Sequence, residues 1–195
     1  MGIFDKFFGK KKEEETRIED LPETNISDLN PDERFVQEFK NKGGKFLYCT
    51  SKEEVLSFLK NIVIENTWEK VMCFDEELVK DLTVTEIQNS EDSDVFYTKC
   101  EHLIVDDGSI LFSSNQLKEL KLNKYPKNFI VMAKTSQLLF NKDEGLMSIK
   151  HRFKDKIPYN IGSIKDYRPE NIDENFLIYG NLNSKNLYLI LLEDL

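Results

Sequence analysis

The residues best suited to chemistry in this chain form a short polar run, Asp106-Asp107-Gly108-Ser109, between two apolar segments. Neighbouring carboxylates on a strand point to opposite faces, so the two aspartates are poorly placed for paired acid–base catalysis. An Asp-Gly step between apolar runs instead favours a tight turn, as in a hairpin. Gly108-Ser109 offers a backbone amide and a hydroxyl to an anion, and so does Gly162-Ser163, although ordinary turn chemistry explains either pair equally well.

The histidines and cysteines show no spacing typical of a metal or catalytic site. His102 and His151 fit no metal-ligand pattern, and we expect both to be structural or solvated, while a pairing with a Cys or Ser in space stays open. The Gly-rich phosphate loops and the Gly-x-Ser-x-Gly motif do not occur. Cys49, Cys73 and Cys100 are typical of small apolar residues in a reducing compartment. The sequence therefore predicts no metal, no cofactor and no catalysis of its own.

Composition limits the classes of partner. The 195 residues include 36 acidic and 27 basic side chains, which gives a net charge of -9. A negative chain repels nucleic-acid phosphates, so we expect no nucleic-acid partner. No apolar run approaches the roughly 18 residues that span a membrane, and the N-terminal residues do not resemble a secretory signal. We therefore expect a cytoplasmic protein.

Residues 1–15 form an amphipathic leader. By helical spacing, four large apolar residues fall on one face and lysines lie beside them: Ile3, Phe4, Phe7 and Phe8. This pattern suits an anionic membrane surface or a groove on a partner, and a frayed terminus that packs on nothing is the alternative. Residues 16–30 are polar and acidic and are typical of a linker, which leaves 31–195 as the folded domain.

The domain alternates strands and helices in its first half. Asn30-Pro31 favours a helix start, residues 45–49 and 71–74 favour strands, and Ser51 with Glu54 is a helix-capping pattern. Asp75 is a further helix cap. Such alternation predicts an α/β fold: a layered, mostly parallel sheet flanked by helices.

The second half adds a polar loop and further strands. Residues 113–128 have the composition of a loop, and 129–132 favour a buried strand. Leu146, Ile149 and Phe153 have helical spacing, and apolar runs at 176–179 and 187–192 favour C-terminal strands.

Three segments of the second half resemble the LUD domain of lactate-utilisation proteins, the LutC-like group. The first segment is 100–114, in which residues 104–109 stand where that family has Ile-Ala-Glu-Thr-Gly-Thr before a strand. The second, 125–131, is similar to its Leu-Pro segment and the following strand. Residues 180–195 match the spacing of its Gly-x-His-Gly-Pro turn and last strand. In that turn Leu182, Asn183 and Ser184 replace the family's His, Gly and Pro. Gly108, Ser109 and Gly180 are retained, so the resemblance implies a kept scaffold with an altered or lost site.

The resemblance implies a fold similar to the NagB/RpiA/CoA-transferase class. It also implies an accessory role in oxidising L-lactate to pyruvate beside iron–sulphur partner subunits, because this chain lacks the cysteine clusters of such centres. Two alternatives remain. One is a non-catalytic interaction module docked to a membrane or partner by its leader. The other is an enzyme acting on a small phosphorylated or CoA-linked substrate.

Overall fold

A computed structural model describes residues 29–83, 85–168 and 184–194. The leader residues Ile3, Phe4, Phe7 and Phe8, together with Gly180 and the strand expected at 176–179, lie outside this part of the chain. Within the described ranges, no helix has the length and apolarity needed to cross a bilayer.

The main element of the described residues is a six-stranded sheet in which every pairing is parallel. Its strand order is β1-β10-β7-β4-β2-β3. The strands are β1 (Lys45–Cys49), β2 (Lys70–Met72), β3 (Glu86–Ile87), β4 (Val95–Lys99), β7 (Asn128–Lys134) and β10 (Asn186–Leu192). The predicted layered, mostly parallel α/β sheet is therefore confirmed.

The described residues form five α-helices, and their starts follow the capping residues in the sequence. The helices are α1 (Pro31–Asn41), α2 (Lys52–Glu65), α3 (Glu76–Val79), α4 (Ser114–Leu117) and α5 (Lys142–Arg152). The Ser51 hydroxyl accepts a bond from the Glu54 amide at 3.3 Å, and Asp75 accepts bonds from the first amides of α3. These side chains occupy backbone donors that a helix start leaves free, and so they fix where each helix begins.

Both faces of the main sheet are buried, because alternate residues of its strands enter different cores. Ile130 and Ile190 pack with the apolar face of α2, including Val55 and Leu59. Their neighbours on β7 and β10 enter the other core with α1 and a second sheet. This burial on two sides explains the nearly continuous apolar runs of the central strands.

The second sheet has four short strands in the order β8-β5-β6-β9. They are β5 (His102–Ile104), β6 (Ser109–Phe112), β8 (Leu138–Leu139) and β9 (Gly162–Ile164). The antiparallel pairing of β5 with β6 confirms the hairpin at the Asp-Gly step. One expectation was wrong in detail: the segment 113–128, expected to be a loop, contains α4 and a 3-10 turn at Leu122–Lys124. Gly162-Ser163, for which turn chemistry was the alternative to an anion contact, lies in an edge strand beside β6.

We predict that Gly108→Ala destabilises the protein by at least about 2 kcal/mol. Gly108 has φ +60°, and an added Cβ would lie 2.6 Å from the Phe39 amide nitrogen, a backbone atom that has little room to move. Urea unfolding measures the change. Gly162→Ala is the matched control, because nothing lies within 4 Å of its added Cβ, and a change under about 0.5 kcal/mol is expected. Equal effects of the two substitutions would contradict this account of the turn.

We also predict that none of the three cysteines reacts readily in the folded protein. Burial raises the pKa of Cys49 to about 12 and that of Cys73 to about 11, and it raises the pKa of Cys100 further. A pKa near 11 instead of 9 cuts the reactive thiolate roughly a hundredfold at mild pH. A chromogenic thiol reagent should label all three only after unfolding in urea. Fast labelling of any cysteine in the native protein would contradict the prediction.

Candidate functional site

The turn between β5 and β6 is held against the C-terminal half of α1. Gly108 packs on the backbone of Glu38 and Phe39, and the Asp107 carboxylate accepts a bond from the Ser109 amide at 3.1 Å. The Tyr167 hydroxyl lies 2.8 Å from the carbonyl oxygens of both Gly108 and Ile164. Most backbone groups of the turn therefore bond within the protein.

Charged side chains surround this turn. The Arg34 guanidinium lies 2.6 Å from the Asp106 carboxylate, and the Lys42 ammonium donates to the carbonyl oxygen of Asp107. Lys142, the first residue of α5, lies 3.9 Å from the Asp107 carboxylate and donates to the Ser163 hydroxyl at 2.8 Å. Lys142 thus contacts both of the anion-binding candidates indicated by the sequence: the Asp106–Ser109 turn through the Asp107 carboxylate, and Gly162-Ser163 through the Ser163 hydroxyl. We call Asp106–Ser109, Ser163 and Lys142 the turn site.

The turn site contains neighbouring cations and an unpaired hydroxyl. Burial lowers the pKa of Lys142, and the neighbouring ammonium of Lys165 lowers it further, while Asp107 partly offsets the effect. Ser109 is fully buried, and its hydroxyl has no hydrogen-bond partner in the described part of the chain. Crowded cations and an unpaired buried hydroxyl are features that a bound anion would relieve.

Gly162 does not take part in this cluster. It lies on the exposed edge of the second sheet, beside a cleft of about 350 Å³. Apolar side chains supply most of the lining, among them Phe112, Leu117 and Ile164. Of the predicted anion-binding pair, only Ser163 therefore reaches the charged groups of the turn site.

The turn site lies at the amino ends of the main sheet. Lys42, which bonds to Asp107, lies three residues before the first residue of β1, and the Tyr167 amide donates to the Lys42 carbonyl oxygen at 3.0 Å. Parallel α/β sheets usually bind ligands at the opposite edge, outside the carboxyl ends of the strands. The candidate residues indicated by the sequence therefore lie at the amino ends of the strands, whereas this architecture usually binds ligands at the carboxyl ends.

A second polar cluster lies at the carboxyl end of β4, and the sequence reasoning missed it. Its centre is Glu101, which is 1% exposed. The carboxylate accepts bonds from Ser113 at 2.7 Å, Asn115 at 2.9 Å and Gln116 at 3.1 Å, and Arg152 donates to its other oxygen at 3.2 Å. We call these groups, with His102 and Gln137, the Glu101 network. Only the adjacent Glu101-His102 pair was visible in the sequence, and its partners lie 12 or more residues away.

His102 is held in one neutral form inside the network. An Arg152 nitrogen lies 3.2 Å from Nε2, and because a guanidinium only donates, Nε2 must accept. Nδ1 then carries the proton and faces the Gln137 carbonyl oxygen at 3.4 Å. Burial, and next the charge of Arg152, lower the pKa of His102. Because the lone pair on Nε2 already accepts a bond from Arg152, this imidazole orients Arg152 and is not placed to take a proton from a substrate.

The arrangement of strands and helices places the chain in a structural class. The chain is a layered α/β protein with a parallel main sheet and a second, mixed sheet that contains the β5–β6 hairpin. No family model matches it, and no curated protein matches it. A solved structure that resembles it is a DUF162 family protein from Deinococcus radiodurans, with a TM-score of 0.60 and 13% identity. The match covers 85% of this chain and 99% of that chain.

At this identity the likeness shows the fold alone. DUF162 proteins are LUD-domain-like, so the match agrees with the sequence resemblance at the level of the fold. The roles of the turn site and of the Glu101 network therefore rest on the chemistry of their own residues.

We predict that part of the stability of the protein is lost as the pH falls below 6.5 because of His102. Its folded pKa is lowered from 6.5, so the unfolded chain takes up a proton first and is favoured. At neutral pH we expect His102→Gln to cost about 1–2 kcal/mol through the bonds to Arg152 and Gln137. The difference in the free energy of unfolding between wild type and His102→Gln should become smaller as the pH falls below 6.5.

Urea unfolding of both proteins across this pH range measures the effect. His151→Gln is the control for the cost at neutral pH, because His151 lies next to Arg152 on α5 but is exposed, and a change under about 0.5 kcal/mol is expected. A difference between wild type and His102→Gln that stays constant with pH would refute the assignment.

Proposed function

We propose that this chain is a LUD-type accessory subunit of an L-lactate-oxidising system in the cytoplasm. The observation that carries the proposal is the backbone likeness to the DUF162 protein, which extends over 99% of that chain. It supports the same family that the three sequence segments at 100–114, 125–131 and 180–195 indicate. The two likenesses are separate in kind, since one rests on residue types and the other on the path of the backbone.

The chemistry assigns electron transfer to a partner. Oxidation of L-lactate to pyruvate releases two electrons and two protons, and the electrons require an acceptor. The three cysteines of the chain are free and buried in three separate strand ends, Cys49, Cys73 and Cys100. They do not form the set of thiolates that holds an iron–sulphur cluster. We therefore propose that iron–sulphur subunits bind this chain and accept the electrons.

The inward-facing Glu101 network supports an accessory role over an independent enzyme. Its one imidazole is occupied by Arg152 and its carboxylate is saturated by four donors. A general base needs a free lone pair within reach of the substrate proton. Neither group of the network offers one.

Deletion of the gene in its own host tests the proposal. We expect growth on L-lactate to fail or slow strongly, growth on glucose to be unchanged, and the wild-type gene to restore growth on lactate. The tagged full chain, purified from lactate-grown cells, should carry subunits that contain iron and acid-labile sulphide. Normal growth of the deletion strain on L-lactate would refute the proposal, and so would purification without any iron–sulphur subunit.

A further inference from the structure

Three lysines lie around the turn site: Lys142, Lys165 and Lys42. Lys142 begins α5 and donates to Ser163 on β9 at 2.8 Å. Lys165 follows β9 directly, and both Lys165 and Lys42 act on the pKa of Lys142 by lowering it. In a chain of net charge -9, such a local accumulation of cations needs an explanation.

Few of the nearby carboxylates compensate these lysines. Asp106 is paired with Arg34 at 2.6 Å, and Asp166 is paired with Arg168 at 3.2 Å. The carboxylate that offsets the charge on Lys142 is Asp107, at 3.9 Å. Asp143 and Glu144 in the first turn of α5 are exposed, and Glu144 accepts from the Phe140 amide. Among the described groups that act on Lys142, three ammonium groups counting its own therefore stand against one carboxylate, which leaves an excess of two positive charges.

The unpaired hydroxyl of Ser109 points toward the same place. Side chains two residues apart on a strand share a face, so Ser109 points to the same side as Leu111. Leu111 is in register with Ser163, and its Cδ2 would lie 3.0 Å from a Cβ on Gly145 of α5. The fully buried Ser109 hydroxyl is therefore directed toward α5, where Ser163 and Lys142 lie, without a partner in the described chain.

We propose that these groups form a binding site for the phosphoryl group of a small phosphorylated molecule, with Lys142, Lys165, Ser163 and Ser109 as its ligands. A phosphate monoester carries close to two negative charges at neutral pH, which matches the local excess. It also offers three acceptor oxygens. Lysine binds phosphate as a point charge, and the first turn of α5 adds the positive end of a helix dipole. A carboxylate carries half the charge and fewer acceptors. This proposal does not depend on the role in lactate oxidation.

Inorganic phosphate is the probe, used with the purified full chain at constant ionic strength. We expect phosphate to raise the melting temperature in a saturable way, because a ligand of the native state stabilises it. Equilibrium dialysis with labelled phosphate gives the affinity. Lys142→Met and Ser109→Ala should each weaken binding, Lys142→Met by roughly tenfold or more.

The variants are expected to stay folded, because Lys142→Met removes a crowded charge and Ser109→Ala removes an unpaired hydroxyl. The matched control is Lys150→Met, which removes an exposed lysine from the same helix and should leave the affinity unchanged. Equal weakening by Lys142→Met and Lys150→Met would reduce the effect to general charge attraction and overturn the site. So would the absence of saturable binding, or binding of L-lactate as tight as that of phosphate.

Discussion

The arrangement of the second layer depends on one buried carboxylate. Glu101 lies between the end of β4 and the start of β5, where the chain leaves the main sheet, and it receives four donors from α4, its N-cap and α5. A buried charge is tolerated only when it is paired and hydrogen-bonded. The donor side chains, and the helices that carry them, are therefore held in one arrangement. Because Arg152 ends α5 and Lys142 begins it, the same interaction also fixes the helix that crosses to the turn site.

The sequence predicted what local signals encode. The cap residues Asn30, Ser51 and Asp75 marked helix starts, and the Asp-Gly step marked the hairpin. The parallel sheet followed from the alternation of short apolar runs with helical periods. Each of these features involves residues only a few positions apart, so a pattern of spacing is enough to recognise it.

What the sequence did not show are contacts between distant residues. The polar groups bonded to Glu101 come from 12 to 51 positions away. The pairing of Ser163 with Leu111 places Gly162-Ser163 in an edge strand, which no local signal indicated. Of the predicted site, Asp107 bonds directly to the Ser109 amide, but Ser163 is joined to Asp107 only through Lys142, a residue whose type and position gave no signal. Long-range pairing is decided by packing, and a single sequence does not display it.

The position of β10 has a consequence for synthesis. This strand lies between β1 and β7, yet it follows every other described strand along the chain. Lys45 on β1 and its neighbour Asn186 are 141 residues apart. On the ribosome, β1 therefore waits on the order of ten seconds for its partner to emerge. Until then β1 lacks its pairing strand and the apolar face of α2 lacks part of its packing surface, and such transiently exposed apolar surface makes a nascent chain prone to aggregation.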